Sequence, residues 1–196
     1  MDVLIHDFSN KGATRLALHP LWMEAENVAV LVKVSYEGSS FIVSFSVKEP
    51  QLRRMCTHHN DEVWNDSCVE VFVKRPDQPW YVNFEFSASG FCHAAKGTCR
   101  DGRVSYSDAL LATIPITVRI LENTIDESRW DLSARLDLVK FGLLDEGKTL
   151  KGVTLYGNFY NCGDALEHPH YLTYEPIDTE RPDFHQVSSF VPLRFL

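Results

Sequence analysis

The chain has 196 residues, 44% of them hydrophobic and 12% aromatic, enough to bury a core without disulfide or metal staples. Its formal charge of −8 argues against nucleic-acid phosphates and anionic membrane surfaces as partners, because both need clustered Lys and Arg. No stretch reaches the length of a membrane span, and the start, Met1 to Asp7, lacks the basic residues and apolar run of a signal peptide. The sequence as it stands therefore reads as one cytoplasmic domain, 1–196, or as extracellular or periplasmic if it is a processed form.

In chain order, Val28 to Ser35 and Phe41 to Val47 flank Glu37-Gly38-Ser39 as a hairpin, with Phe41, Val43, Phe45 and Val47 on one face. Pro50 to Cys56 could make a helical turn or two. Strands over 67–73 and 81–86 follow, separated by Arg75-Pro76-Asp77-Gln78-Pro79, and a weaker one, Phe91 to Lys96, precedes the Asp101-Gly102 turn. Ile114 to Leu121 and Trp130 to Leu138 form another pair, with Trp130, Leu132, Ala134, Leu136 and Leu138 pointing inward. Leu138 to Leu144 could be one short helix, Val153 to Tyr160 is the next strand, and Phe190 to Phe195 closes the chain. The long segment from Asn161 to Ser189 has few strand signals but is rich in aromatics and histidine, and long ordered loops are often functional. The expectation is an all-β fold, an antiparallel β-sandwich or jelly roll with one or two short helices.

The central strands carry carboxylates. Side chains alternate along a strand, so Cys68, Glu70 and Phe72 share one face and Val69, Val71 and Val73 the other. On the next strand Val82, Phe84 and Phe86 oppose Tyr81, Asn83 and Glu85. The all-apolar faces read as core. The mixed faces fit either solvent exposure or a groove that hydrogen-bonds a polar ligand, and Glu70 could instead pair internally with Arg135 or Arg119.

The five cysteines, Cys56, Cys68, Cys92, Cys99 and Cys162, lack CxxC spacing, so no disulfide framework or zinc site is expected, and Cys68 reads as a small core hydrophobe. His168-Pro169-His170 has a metal-like HxH spacing, but its proline disfavours a regular strand, so no metal ligand is assigned. Glu70 and Glu85 could serve as a glycosidase acid and base, although the sequence has no other catalytic motif. No catalytic residue is assigned.

Three stretches together resemble family 9 carbohydrate-binding modules and the wider DOMON-like superfamily: Val63-Trp64-Asn65-Asp66-Ser67-Cys68-Val69-Glu70-Val71-Phe72, then Tyr81 to Gly90, then Gly157-Asn158-Phe159-Tyr160 with His170 to Pro176 and Pro182-Asp183-Phe184-His185. The resemblance runs from about residue 28 to the end. It implies non-catalytic binding of a mono- or oligosaccharide between two aromatic side chains, Trp64 and Tyr174, the latter standing where the family typically has Trp. Glu70 would form the floor, with Asn83, Glu85, Arg100 and Asp66 as further polar groups. It also makes structural calcium possible, with Asp61, Glu62, Asp66 and Asp164 as oxygen donors. No other cofactor is expected. The alternative within the superfamily is haem or another small molecule, for which Met55, His58, His59 and His185 are the available axial ligands.

Overall fold

The computed structural model describes residues 2–196. Its strands, in chain order, are β1 (Val3–Ile5), β2 (Thr14–Ala17), β3 (His19–Pro20), β4 (Ala29–Glu37), β5 (Ser40–Glu49), β6 (Cys68–Lys74), β7 (Tyr81–Ser87), β8 (Cys92–Gly97), β9 (Val104–Ser105), β10 (Ile116–Asn123), β11 (Ser128–Asp137), β12 (Thr154–Cys162), β13 (Tyr171–Thr173) and β14 (Val191–Phe195). They form two sheets. One runs β1-β14-β12-β6-β7-β8-β9, with β13 and β3 extending beside β12; the other runs β10-β11-β5-β4-β2. Pairing between named strands is antiparallel except where β1 lies parallel to β14, Val3 opposite Leu193.

Alternation decides the sandwich. Val30, Val32, Val34 and Tyr36 on β4, Phe41 to Val47 on β5, and Trp130 to Leu136 on β11 put every second side chain inward. They meet Val69, Val71, Val73, Val82, Phe84 and Phe86 from the facing sheet in one continuous buried cluster. The β4–β5 hairpin turns through Gly38, whose φ of +59° lies in the left-handed region that glycine enters without steric cost.

The mixed face of β6 and β7 does not meet solvent. Cys68, Phe72, Tyr81, Tyr160 and Cys162 are buried there under Ile177, Phe184 and Phe190 of the C-terminal segment, which makes a second core. The central sheet is thus covered on both sides: by the other sheet on one, and by the long segment after β12 on the other.

Two expected helical stretches are not helices. Residues 138–144 form successive turns in which the Leu143 and Leu144 N–H groups both reach the Leu138 carbonyl, and Gly142, at φ +72°, leaves the right-handed region. Residues 50–56 form no helix because side chains take their N–H groups: Ser67 Oγ accepts from Arg53, and the Asp66 carboxylate from Met55 and Cys56. The short α-helices lie instead at Phe8–Lys11 and Asp108–Leu111. Among the described residues no helix is long and apolar enough to cross a membrane.

Candidate functional site

Where the segment after β12 does not fully close over the central sheet, a cavity of about 390 Å³ remains, with Glu70 and Glu85 at its base. The two glutamates are direct cross-strand partners on β6 and β7, 3% and 4% exposed. Burial pushes both carboxyls up. Glu70 is held well above the carboxylate range by burial and then by Glu85. Glu85 is raised by burial to about 7, against the pull of Arg103 and the amide of Asn83. The Asn83 Nδ2 donates to Glu85 at 2.8 Å, and an Arg103 guanidinium nitrogen lies 3.8 Å from the same oxygen. Among the described residues no cation lies within ion-pair distance of Glu70, and Arg103 pulls on it only from farther away. Its Oε1 accepts from the Cys162 thiol at 3.2 Å and, more weakly, from Cys68 at 4.0 Å.

Aromatic side chains build the rim. Trp64 sits on a single 3₁₀ turn, Val63–Asn65, fixed below by the buried Val63 and by its own carbonyl, which accepts from Asp164 N at 2.9 Å. The His93 ring meets the indole edge-on at 5.7 Å. A second tryptophan, Trp22, borders the same cavity. It follows β3 at φ +65°, an uncommon backbone state for a bulky residue, held by an indole bond to the Thr179 carbonyl at 2.7 Å and by packing on Phe184 and Tyr171. His185 completes the wall. The Tyr81 hydroxyl at 2.8 Å and Arg103 at 3.3 Å both donate to its Nδ1, so the ring keeps its proton on Nε2. Burial, then Arg103 and Arg100, lower its pKa to about 3.

Of the residues expected at a site, Trp64, Glu70, Glu85 and Arg100 line this one cavity. Asn83 does not reach it. It is fully buried opposite Phe72 and acts on the cavity only through Glu85. Tyr174 is on the other side of the sheet, its ring 6.3 Å from Phe159 at the inter-sheet core. The cause is parity: Tyr171 on β13 faces the cavity, so Leu172 and Tyr174 face away. Trp22 and Arg103, which the sequence reading did not single out, stand at the cavity instead. Neither arginine named as an internal partner for Glu70 approaches it: Arg135 pairs with Glu37 at 2.6 Å on the other sheet, and Arg119 lies on β10.

Asp66 is structural. Its carboxylate accepts from the Met55 and Cys56 N–H groups and from the Ser87 and Ser89 hydroxyls, leaving little to offer a ligand or calcium. Asp61 is likewise used by the Thr57 and Glu62 N–H groups. The haem-ligand candidates are dispersed: Met55 and His58 are exposed, His59 accepts from Cys92 N, and His185 is held as described. Among the described residues, one set of thiol, imidazole and carboxylate donors converges closely enough to hold a metal ion, namely Cys68, Glu70 and Cys162.

Residues 19–195 match the family model described as carbohydrate-binding family 9. No curated protein matches the chain. A protein from Bacteroides uniformis, named as a candidate carbohydrate-binding protein, shares the fold over the whole of both chains, with 25% identity and a TM-score of 0.86. A family 9 module from Caldicellulosiruptor kristjanssonii, solved with cellotriose, aligns over all of this chain and 93% of its own at 11% identity and a TM-score of 0.64. The same organism's module with glucose gives 0.58 at 11% identity, covering 100% and 96% of the two chains.

Proposed function

The chain belongs to carbohydrate-binding family 9, and on that premise we propose that the cavity above Glu70 and Glu85 binds a mono- or oligosaccharide without a catalytic step. The observation that carries this reading is the joining of flat aromatic surface, Trp64 and Trp22, to polar groups of both signs, Glu70, Glu85, Arg100 and Arg103, around one cavity. A sugar needs both. Its C–H face packs on an aromatic ring, and its hydroxyls need donors and acceptors, since each buried polar group left unpaired costs about 1–3 kcal/mol. Trp22 takes the second stacking role in place of Tyr174.

Binding without hydrolysis is the reading that membership of a carbohydrate-binding family supports. Glucose and cellotriose, the ligands of the Caldicellulosiruptor modules, are the first to test. In calorimetry, Trp64→Ala and Trp22→Ala are each expected to weaken binding about tenfold or more, that is by about 1.4 kcal/mol. No binding by wild type at millimolar sugar, or equal affinity in Trp64→Ala, would overturn the reading.

A further inference from the structure

We infer that Cys68, Glu70 and Cys162 form a binding site for one thiophilic divalent cation, Zn2+ in the first instance, at the base of the cavity. The strand register creates it. Cys68 and Cys162 are direct cross-strand partners on β6 and β12, and Glu70 lies two residues from Cys68 on the same face. Their donor atoms all lie within 4.8 Å of one another, with Sγ to Oε1 distances of 3.2 and 4.0 Å. A tetrahedral zinc, with bonds of about 2.3 Å to sulfur and about 2.0 Å to oxygen, spaces its donors by about 3.8 Å (S to S) and about 3.5 Å (S to O). The metal-free arrangement is already close to that spacing. Glu70 and Cys162 border the cavity, so a fourth position can open towards it for water or ligand.

A second observation asks for a cation here. Glu70 is a buried acid facing a second buried acid directly across the strand pair, and like charges so placed repel. Arg103 lies 3.8 Å from Glu85, and among the described residues the side-chain hydrogen bonds to Glu70 come from two thiols, both weak donors. A divalent ion supplies the missing charge. On binding, the two S–H protons, and the Glu70 proton where it is present, leave to solvent as three protein–metal bonds form, with no change of oxidation state. Because the strands fix all three donors before the metal arrives, little ordering remains to be done on binding.

The test uses the whole chain, reduced and stripped with a chelator, with Co2+ as the probe and Zn2+ as the competitor, in the absence of any saccharide. One equivalent of Co2+ per chain is expected to give thiolate-to-cobalt charge transfer in the near ultraviolet and the visible bands of a tetrahedral ion, both abolished by Zn2+. Cys162→Ser and Cys68→Ser should lose the charge transfer, and Cys56→Ser should keep it. If either serine variant fails to fold, Glu70→Gln, which keeps both thiols and the side-chain volume, should still shift the bands and weaken binding by about tenfold or more. Absence of thiolate charge transfer in wild type, undiminished binding in a folded Cys162→Ser, or a Cys68–Cys162 disulfide that re-forms in the presence of Zn2+ would each overturn the inference. The metal site does not rest on the saccharide reading, and the sugar titrations of Trp64→Ala fail or succeed separately from it.

Discussion

His185 is held neutral by burial and then by the charges of Arg103 and Arg100, and stability should register this as pH changes. Its folded pKa of about 3 lies below the ordinary 6.5, so between those values the unfolded chain binds a proton that the folded chain refuses. Its contribution is fully present above 6.5 and is lost as pH falls through that window, by up to about 1.4 kcal/mol per pH unit. Between pH 7 and 5, wild type should therefore lose up to about 2 kcal/mol more unfolding free energy than His185→Gln, read from denaturant titrations of both. Equal losses would show that the ring protonates in place. Asp66 makes a different demand. Its carboxylate serves two N–H groups and two hydroxyls at the entrance to β6, so Asp66→Ala leaves four donors without their acceptor. The expected cost is about 3 kcal/mol or more, measured as a fall in the denaturant midpoint.

At the scale of elements, β12 is the strand most tightly pinned, since it pairs with β6, β13 and β14. Gly157 permits the contact: a Cβ there would lie 2.4 Å from the Phe72 carbonyl oxygen and 2.9 Å from Leu193 Cδ1. Gly157→Ala should cost about 1–3 kcal/mol through displacement of β6 or β14, and thermal unfolding would detect it. The long strands were legible in the sequence because period-two alternation runs unbroken through them, as in Phe41 to Val47 and Trp130 to Leu138. Strands such as β1, β3, β9 and β13, two or three residues long, carry too few alternations to read and exist through their partners. The site divides in the same way. Glu70 and Glu85 stand out on long strands, and Trp64 and Arg100 are reached through the resemblance, whereas Trp22 and Arg103 are brought in by loops and two-residue strands. Tyr174, expected at the site from the resemblance alone, faces the inter-sheet core because the three-residue strand β13 sets its parity. The Cys68–Cys162 pair, 94 positions apart, comes together only through the register of β6 with β12.

Across the whole molecule, one polar cluster couples the other sheet to the covering segment. Glu49, at the end of β5 and fully buried, accepts from the Trp130 indole at 2.6 Å, and the His170 Nε2 lies 3.4 Å from its other oxygen. His170 immediately precedes β13, so this contact joins β5 and β11 to the chain that forms the cavity wall. Glu49→Ala would leave the buried indole N–H of Trp130 without its acceptor, at about 1–3 kcal/mol read from denaturant unfolding. Unchanged stability would mean the cluster is incidental.

The parallel pairing of β1 with β14 also sets how the molecule bears tension. Residue 2 leaves the ladder at the Val3–Leu193 end and residue 196 at the Ile5–Phe195 end. A pull applied between the two ends of the chain therefore drags the strands lengthwise past each other. Their hydrogen bonds share the load and must rupture together, instead of opening one at a time as in a peeled hairpin. Under such a load the molecule would yield abruptly at that three-residue clamp.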